Sequence, residues 1–283
     1  MNPSVFTWGQ ACAATGLDLG LAWGAAIVTL FCAMVPARAE RMLRRQTLWT
    51  SAMLCAYSVM AVGSMTDPGW GEWLARIGLV LTQTGFGHMQ LVALAGCALL
   101  ALAGWWPALT QRGRQSVFAL GLIVLLLARA ASGHVMDVGF FSLALLAHAA
   151  HIGAACVWVG SVCLGVWLLR DSASRGEILA QRLSRLATWS LVAVFATGLL
   201  NVERLLSPWP GMQSPYVELL GGKLALVLLA VGLGAANRWY YMARMPERAE
   251  WALTWFGRVL RLEAGLLLLV LACAARLGMS MPA

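Results

Sequence analysis

The chain has 283 residues, is 60% hydrophobic but only 11% charged, and carries a formal charge of +8. A soluble domain holds about 25% charged residues, and several runs here exceed the ~18 apolar residues of a transmembrane helix, which excludes a water-soluble globular protein. The runs are continuous rather than alternating, against a transmembrane β-barrel. The positive charge comes from 19 Arg and the single Lys223, with no dense basic tail, so it reads as a topology signal rather than a nucleic-acid footprint.

Before the first apolar run, MNPSVFTWGQACAATGLDLG has no basic segment, and the first arginine is Arg38, so the first span is expected to be retained rather than cleaved. Eight spans are predicted, near 17–36, 47–65, 78–103, 116–136, 139–169, 186–206, 216–237 and 257–279. The expected fold is therefore an all-α polytopic transmembrane helix bundle, a single membrane domain over 1–283. The connections between spans one and two, three and four, five and six, and seven and eight, with Arg258 and Arg261 at the start of span eight, place fifteen arginines on one side. That side is cytoplasmic by the positive-inside rule, which places both termini in the periplasm. The outer connections are short. SPWPGMQSP reads as a turn-forming loop, and TDPGWGEWLAR can lay Trp70 and Trp73 at the headgroup level. No soluble domain is large enough to house chemistry, which must lie in or just outside the bundle. Seven cysteines form no CxxC pair and read mainly as small core residues.

Ionisable residues inside a span cost a few kcal/mol or more unless paired or hydrated, so they are functional candidates. All four histidines qualify. His88 lies in span three, His134 near the end of span four, and His148 and His151 in span five. At 1.5 Å per residue, His88 falls ~15 Å below the outer face and the span-five pair ~13–18 Å below it. His148 and His151, three residues apart, share one helix face, and His88 from another helix would complete a three-imidazole set. Imidazole suits copper, zinc, iron and nickel, and thioether suits Cu(I). Met89 beside His88 and Met136 beside His134, with few carboxylates, favour copper as Cu(I) or Cu(II). Binding needs neutral imidazoles and should weaken in acid. The remaining polar candidates in the spans are Arg129, Asn201, Glu203, Lys223 and Glu263. Arg129 could bind an anion or pair with an acid such as Glu203, and Glu263 could pair with Arg258 or Arg261. Trp158 lies one heptad from His151 on the same face.

The segments SGH at 132–134, HAAHIGAACVWVGS at 148–161, TGLLNVERLL at 197–206, YVELLGGKLALVLLAVGLGAANR at 216–238 and RLEAGLLLLVLACAARL at 261–277 resemble the copper resistance protein D family of bacterial inner-membrane proteins. The resemblance is strongest over 130–280, whereas 1–130 matches mainly in topology. It implies eight spans, copper handling with import from periplasm to cytoplasm, and a periplasmic copper-binding CopC-type partner. It sets His134, His148, Trp158, Gly160, Asn201, Lys223, Asn237, Arg238 and Glu263 on motif positions. Ser161 departs from it, standing where the family has a second glycine. His88 and His151 rest on geometry instead. Two other readings stay open: a membrane redox protein with a fixed copper centre or haem b, and a copper-binding sensor or scaffold.

Overall fold

The computed structural model describes residues 3–31, 36–66, 72–132, 142–171, 176–205 and 215–279. Among these the chain is all-α. The helices are α1 (Pro3–Ala26, continued by a π-turn Ile27–Phe31), α2 (Pro36–Thr66), α3 (Trp73–Gln83), α4 (Gly85–Trp105) and α5 (Gln111–Ala131). They are followed by α6 (Leu143–Asp171), α7 (Gly176–Leu205), α8 (Pro215–Ala236, continued by a π-turn Asn237–Tyr241 and a 3₁₀ turn Met242–Arg244) and α9 (Ala249–Leu277).

Seven of these helices are long and apolar enough to cross a membrane, with α1, α2 and α4 to α8 supplying one each. The eighth expected span corresponds to α9, 29 residues long. Every 18-residue window of α9 holds at least three of Glu250, Arg258, Arg261, Glu263 and Arg276, so it is less clearly apolar than the others. Two other expectations shift. The first span begins well before residue 17. Gln10, Thr15 and Asp18 dilute its apolar run, but Thr15 returns its hydroxyl to the Ala11 carbonyl at 2.8 Å and Gln10 accepts from Ser64 at 2.9 Å. The expected third span is two helices. Thr84 is extended at φ −121°, ψ 149°, its N–H closes α3 on the Val80 carbonyl, and its hydroxyl accepts from Gly87 N to start α4. Side-chain capping of this kind satisfies amides that a helix start otherwise leaves open.

Helix α1 forms the centre, packed by α2, α5, α6 and α9. It is the most buried of the seven spans, while α7 and α8 are the least buried and so face lipid. Without a hydrophobic difference between lipid and side chains, contact between spans relies on small residues and hydrogen bonds. At Gly160 of α6, a Cβ would fall 1.8 Å from the Ala22 carbonyl oxygen of α1. The close approach is thus made there, and the adjoining Ser161 is accommodated by donating to the Val157 carbonyl on its own helix. Polar stitches run alongside: Gln46 donates to Gly20 O at 3.1 Å, and Gln90 joins Ser58 and Ser132. Arg44 reaches Gly104 O at 2.8 Å and Arg114 reaches Glu40 at 3.2 Å, so the start of α2, the end of α4 and the start of α5 share one arginine-rich end.

Candidate functional site

The first polar centre is built on α1, α5 and α6. Arg129, near the end of α5, donates from Nε to Asp18 Oδ1 at 2.9 Å and from Nη2 to Asp18 Oδ2 at 3.0 Å. Its guanidinium also lies 5.5 Å from the Tyr57 ring centroid. Among the described residues the carboxylate partner of Arg129 is Asp18; the Glu203 side chain lies outside them. A first span starting at 17 leaves Asp18 at its edge, where an acid draws no notice; with α1 starting at Pro3 it is mid-helix.

His148 and His151 lie one and two turns into α6, roughly 8–12 Å along the helix from Leu143 at 1.5 Å per residue. His148 Nδ1 is buried without a hydrogen-bond partner among the described residues. His151 Nδ1 lies 3.1 Å from Val194 O and 3.1 Å from Thr197 Oγ1. The Thr197 hydroxyl donates to Ala193 O. A carbonyl can only accept, so the network assigns the His151 proton to Nδ1 and leaves the Nε2 lone pair available. Gly198 leaves room for this ring, since a Cβ there would stand 3.3 Å from its Cε1. Lys223 of α8, half-buried, lies within electrostatic reach of both rings, and Arg129 within reach of His148. Lys223 has no carboxylate at ion-pair distance among the described residues.

His88 does not join them. The break at Thr84 puts it in the first turn of α4, exposed, with Nε2 3.1 Å from Thr82 O. Among the described residues no three His, Cys, Asp or Glu side chains converge as a metal cluster. The expected three-imidazole set is reduced to the α6 pair, because a helix break turns the third ring back on its own chain. Met89, on the other side of α4, is buried against Ala130, Ala131, Leu145 and Ala149, beside the turn that carries His148. His134 and Met136 lie outside the described residues. Asn201 is half-buried on α7.

A second polar centre lies toward the arginine-rich end. Trp158 Nε1 donates to Glu263 Oε1 at 3.2 Å, so Glu263 is held by an indole and not by Arg258 or Arg261. Arg258 instead lies 4.6 Å from the Trp255 ring centroid. Trp158, Glu263, Asn237 and Arg238 line one cavity of about 430 Å³ with Ser184 and Thr188. Arg238 Nη1 donates to Ser184 Oγ at 2.8 Å and Thr188 Oγ1 at 3.0 Å. Four motif positions from three segments thus meet at one place. Spacing along the chain carries no signal for that, because α6, α8 and α9 are brought together only by tertiary packing.

Residues 177–277 match the family model for copper resistance protein D. The chain is 28% identical to Copper resistance protein D of Pseudomonas syringae pv. tomato, covering 86% of this chain and 84% of that protein. It is 26% identical to Inner membrane protein YebZ of Escherichia coli (strain K12), covering 80% of each. It is 27% identical to Copper transport protein CutJ of Bacillus subtilis (strain 168), covering 65% of this chain and 38% of that protein. No solved structure matches the chain.

Proposed function

We propose that this multi-pass inner-membrane protein, which matches the copper resistance protein D family model over residues 177–277, binds copper and moves it from the periplasm toward the cytoplasm. The observation that carries this is the state of the α6 imidazoles. His151 is oriented through Nδ1 by the Val194 carbonyl, leaving Nε2 free, and His148 Nδ1 is buried and unpartnered. Metal-binding histidines are held in this way, with the distal nitrogen on a carbonyl and the other lone pair presented. Met89 supplies a thioether beside the same turn, suited to Cu(I).

In this reading all eight long helices span, α9 included, and both termini are periplasmic. The shared arginine-rich end of α2, α4 and α5 supports that orientation. His134 and Met136, with the exposed His88, form the periplasmic entry; Met89, His148 and His151 form the buried station. A CopC-type periplasmic copper protein delivers the ion. The haem alternative needs two imidazoles facing each other across one iron from different helices. His148 and His151 share one face of one helix, which suits a single ion better.

The test is copper movement in proteoliposomes of known orientation. Protein-dependent copper accumulation from the periplasmic side, reduced at least tenfold in a His148→Ala/His151→Ala variant, is expected. Wild-type vesicles that accumulate no more copper than protein-free ones would overturn the transport reading.

A further inference from the structure

The cavity at the arginine-rich end has features that copper does not explain. It contains one carboxylate, and its remaining wall is largely apolar, from residues such as Val162, Leu191 and Leu260. The cation Arg238 stands at its exposed rim, an unfavourable lining for a metal ion. Its volume of about 430 Å³ falls in the ~300–1,000 Å³ range of organic-ligand pockets.

Its polar groups are distributed unevenly. At the closed end, Asn237 and Glu263 are each 3% exposed and Trp158 is 4% exposed. Both amide atoms of Asn237 are buried without a hydrogen-bond partner among the described residues. Leaving a buried donor and acceptor open costs ~1–3 kcal/mol each, so they await a partner. Asn237 opens a π-turn that interrupts the helical continuation of α8, a device that recurs at functional sites. Glu263 uses Oε1 for the Trp158 indole; Oε2 has no hydrogen bond among the described residues. At the other end, Trp239 is 74% exposed and Val192 56%. Helix α7 packs on α6 and α8 on α9, while α7 and α8 scarcely meet, so the mouth opens sideways between two lipid-facing helices.

We propose that this cavity binds a membrane-soluble quinone or quinol, head first, entering between α7 and α8. One ring oxygen meets the Asn237 amide, and in the quinol a ring hydroxyl also meets Glu263 Oε2. The ring lies among Trp158 and Phe256, and the isoprenoid tail leaves past Val192 and Trp239 into lipid. A carbonyl on the bound ring accepts from the Asn237 N–H, and a hydroxyl donates to the Asn237 oxygen or the Glu263 carboxylate. A phospholipid fits less well, because its polar group would remain at the mouth and push an acyl chain onto the two buried polar side chains. Only binding is proposed; no electron transfer is assigned. The inference is independent of the copper reading.

The test uses the full chain in nanodiscs with ubiquinone-1 and menadione as probes, and copper content measured on the same preparations. Saturable binding at one site per chain is expected, at least about tenfold weaker in Asn237→Leu, with copper content unchanged and with His148→Ala binding quinone normally. Partitioning that does not saturate, equal binding by Asn237→Leu, or displacement of the probe by phospholipid would each overturn it. Should Asn237→Leu fold poorly, an azido-quinone photolabel on the wild type decides. Label on Trp158 or Val162 of α6, or on α7, α8 or α9, supports the site, and label confined to α1–α5 refutes it.

Discussion

The ion pair between Asp18 and Arg129 allows a quantitative test of how the bundle core is held. Their side chains are 11% and 18% exposed, and two charge-assisted hydrogen bonds of 2.9 and 3.0 Å join them. Removing one partner of a buried pair costs ~3–5 kcal/mol, because the other charge is left uncompensated. In Asp18→Asn the amide oxygen still accepts one hydrogen bond, worth about 1 kcal/mol, so a loss of ~2–4 kcal/mol is expected. Removing both charges, in Asp18→Leu/Arg129→Met, replaces the pair by packed apolar side chains and should restore stability to within about 1 kcal/mol of wild type. The assay is reversible unfolding of the purified protein in mixed detergent micelles, followed by circular dichroism. A single variant within 0.5 kcal/mol of wild type, or a double variant no more stable than the single, would refute the assignment of this pair as a buried, mutually compensating unit.

Other expectations follow from individual contacts. Gly160→Ala places a Cβ against the Ala22 carbonyl, backbone against backbone, and is expected to cost ~1–3 kcal/mol or prevent folding. Gly221→Ala, where a Cβ meets nothing within 4 Å, should be neutral or stabilising by up to about 1 kcal/mol in the same unfolding assay. Lys223→Met removes a positive charge near both α6 histidines. Two unit charges 4 Å apart interact by ~4 kcal/mol at an effective dielectric of 20, falling inversely with distance. Copper affinity, measured by competition with a chelator, should therefore rise roughly tenfold. His88→Ala should leave bound copper at the buried station unchanged, since its ring turns to Thr82; a large loss would return His88 to the buried set.

Helix identity and the membrane setting were legible from long apolar runs alone, because a span must be apolar for its whole length. The exceptions have local causes. Gln10, Thr15 and Asp18 hid the first half of α1, since polar side chains satisfied within their own helix or by neighbouring helices look the same in sequence as surface residues. The Thr84 break lay inside a run of suitable length and hydrophobicity, where a cap is easily passed over. It shifted His88 from the buried set to the exterior. The pairing of His148 and His151 on one face was readable, because helical periodicity fixes it. The tautomer of His151 was not, since it depends on Val194 and Thr197 from α7. Glu263 was read beside Arg258 and Arg261 by proximity in sequence, yet it faces inward to Trp158 while Arg258 lies over Trp255.

The central claim is that the α6 imidazoles hold copper, and its most direct measurement is copper per chain in purified wild type and His148→Ala, with absorption and EPR spectra. The wild type is expected to retain copper with no haem Soret band, and His148→Ala to lose most of it while remaining folded. Equal copper content in the two proteins would contradict the claim.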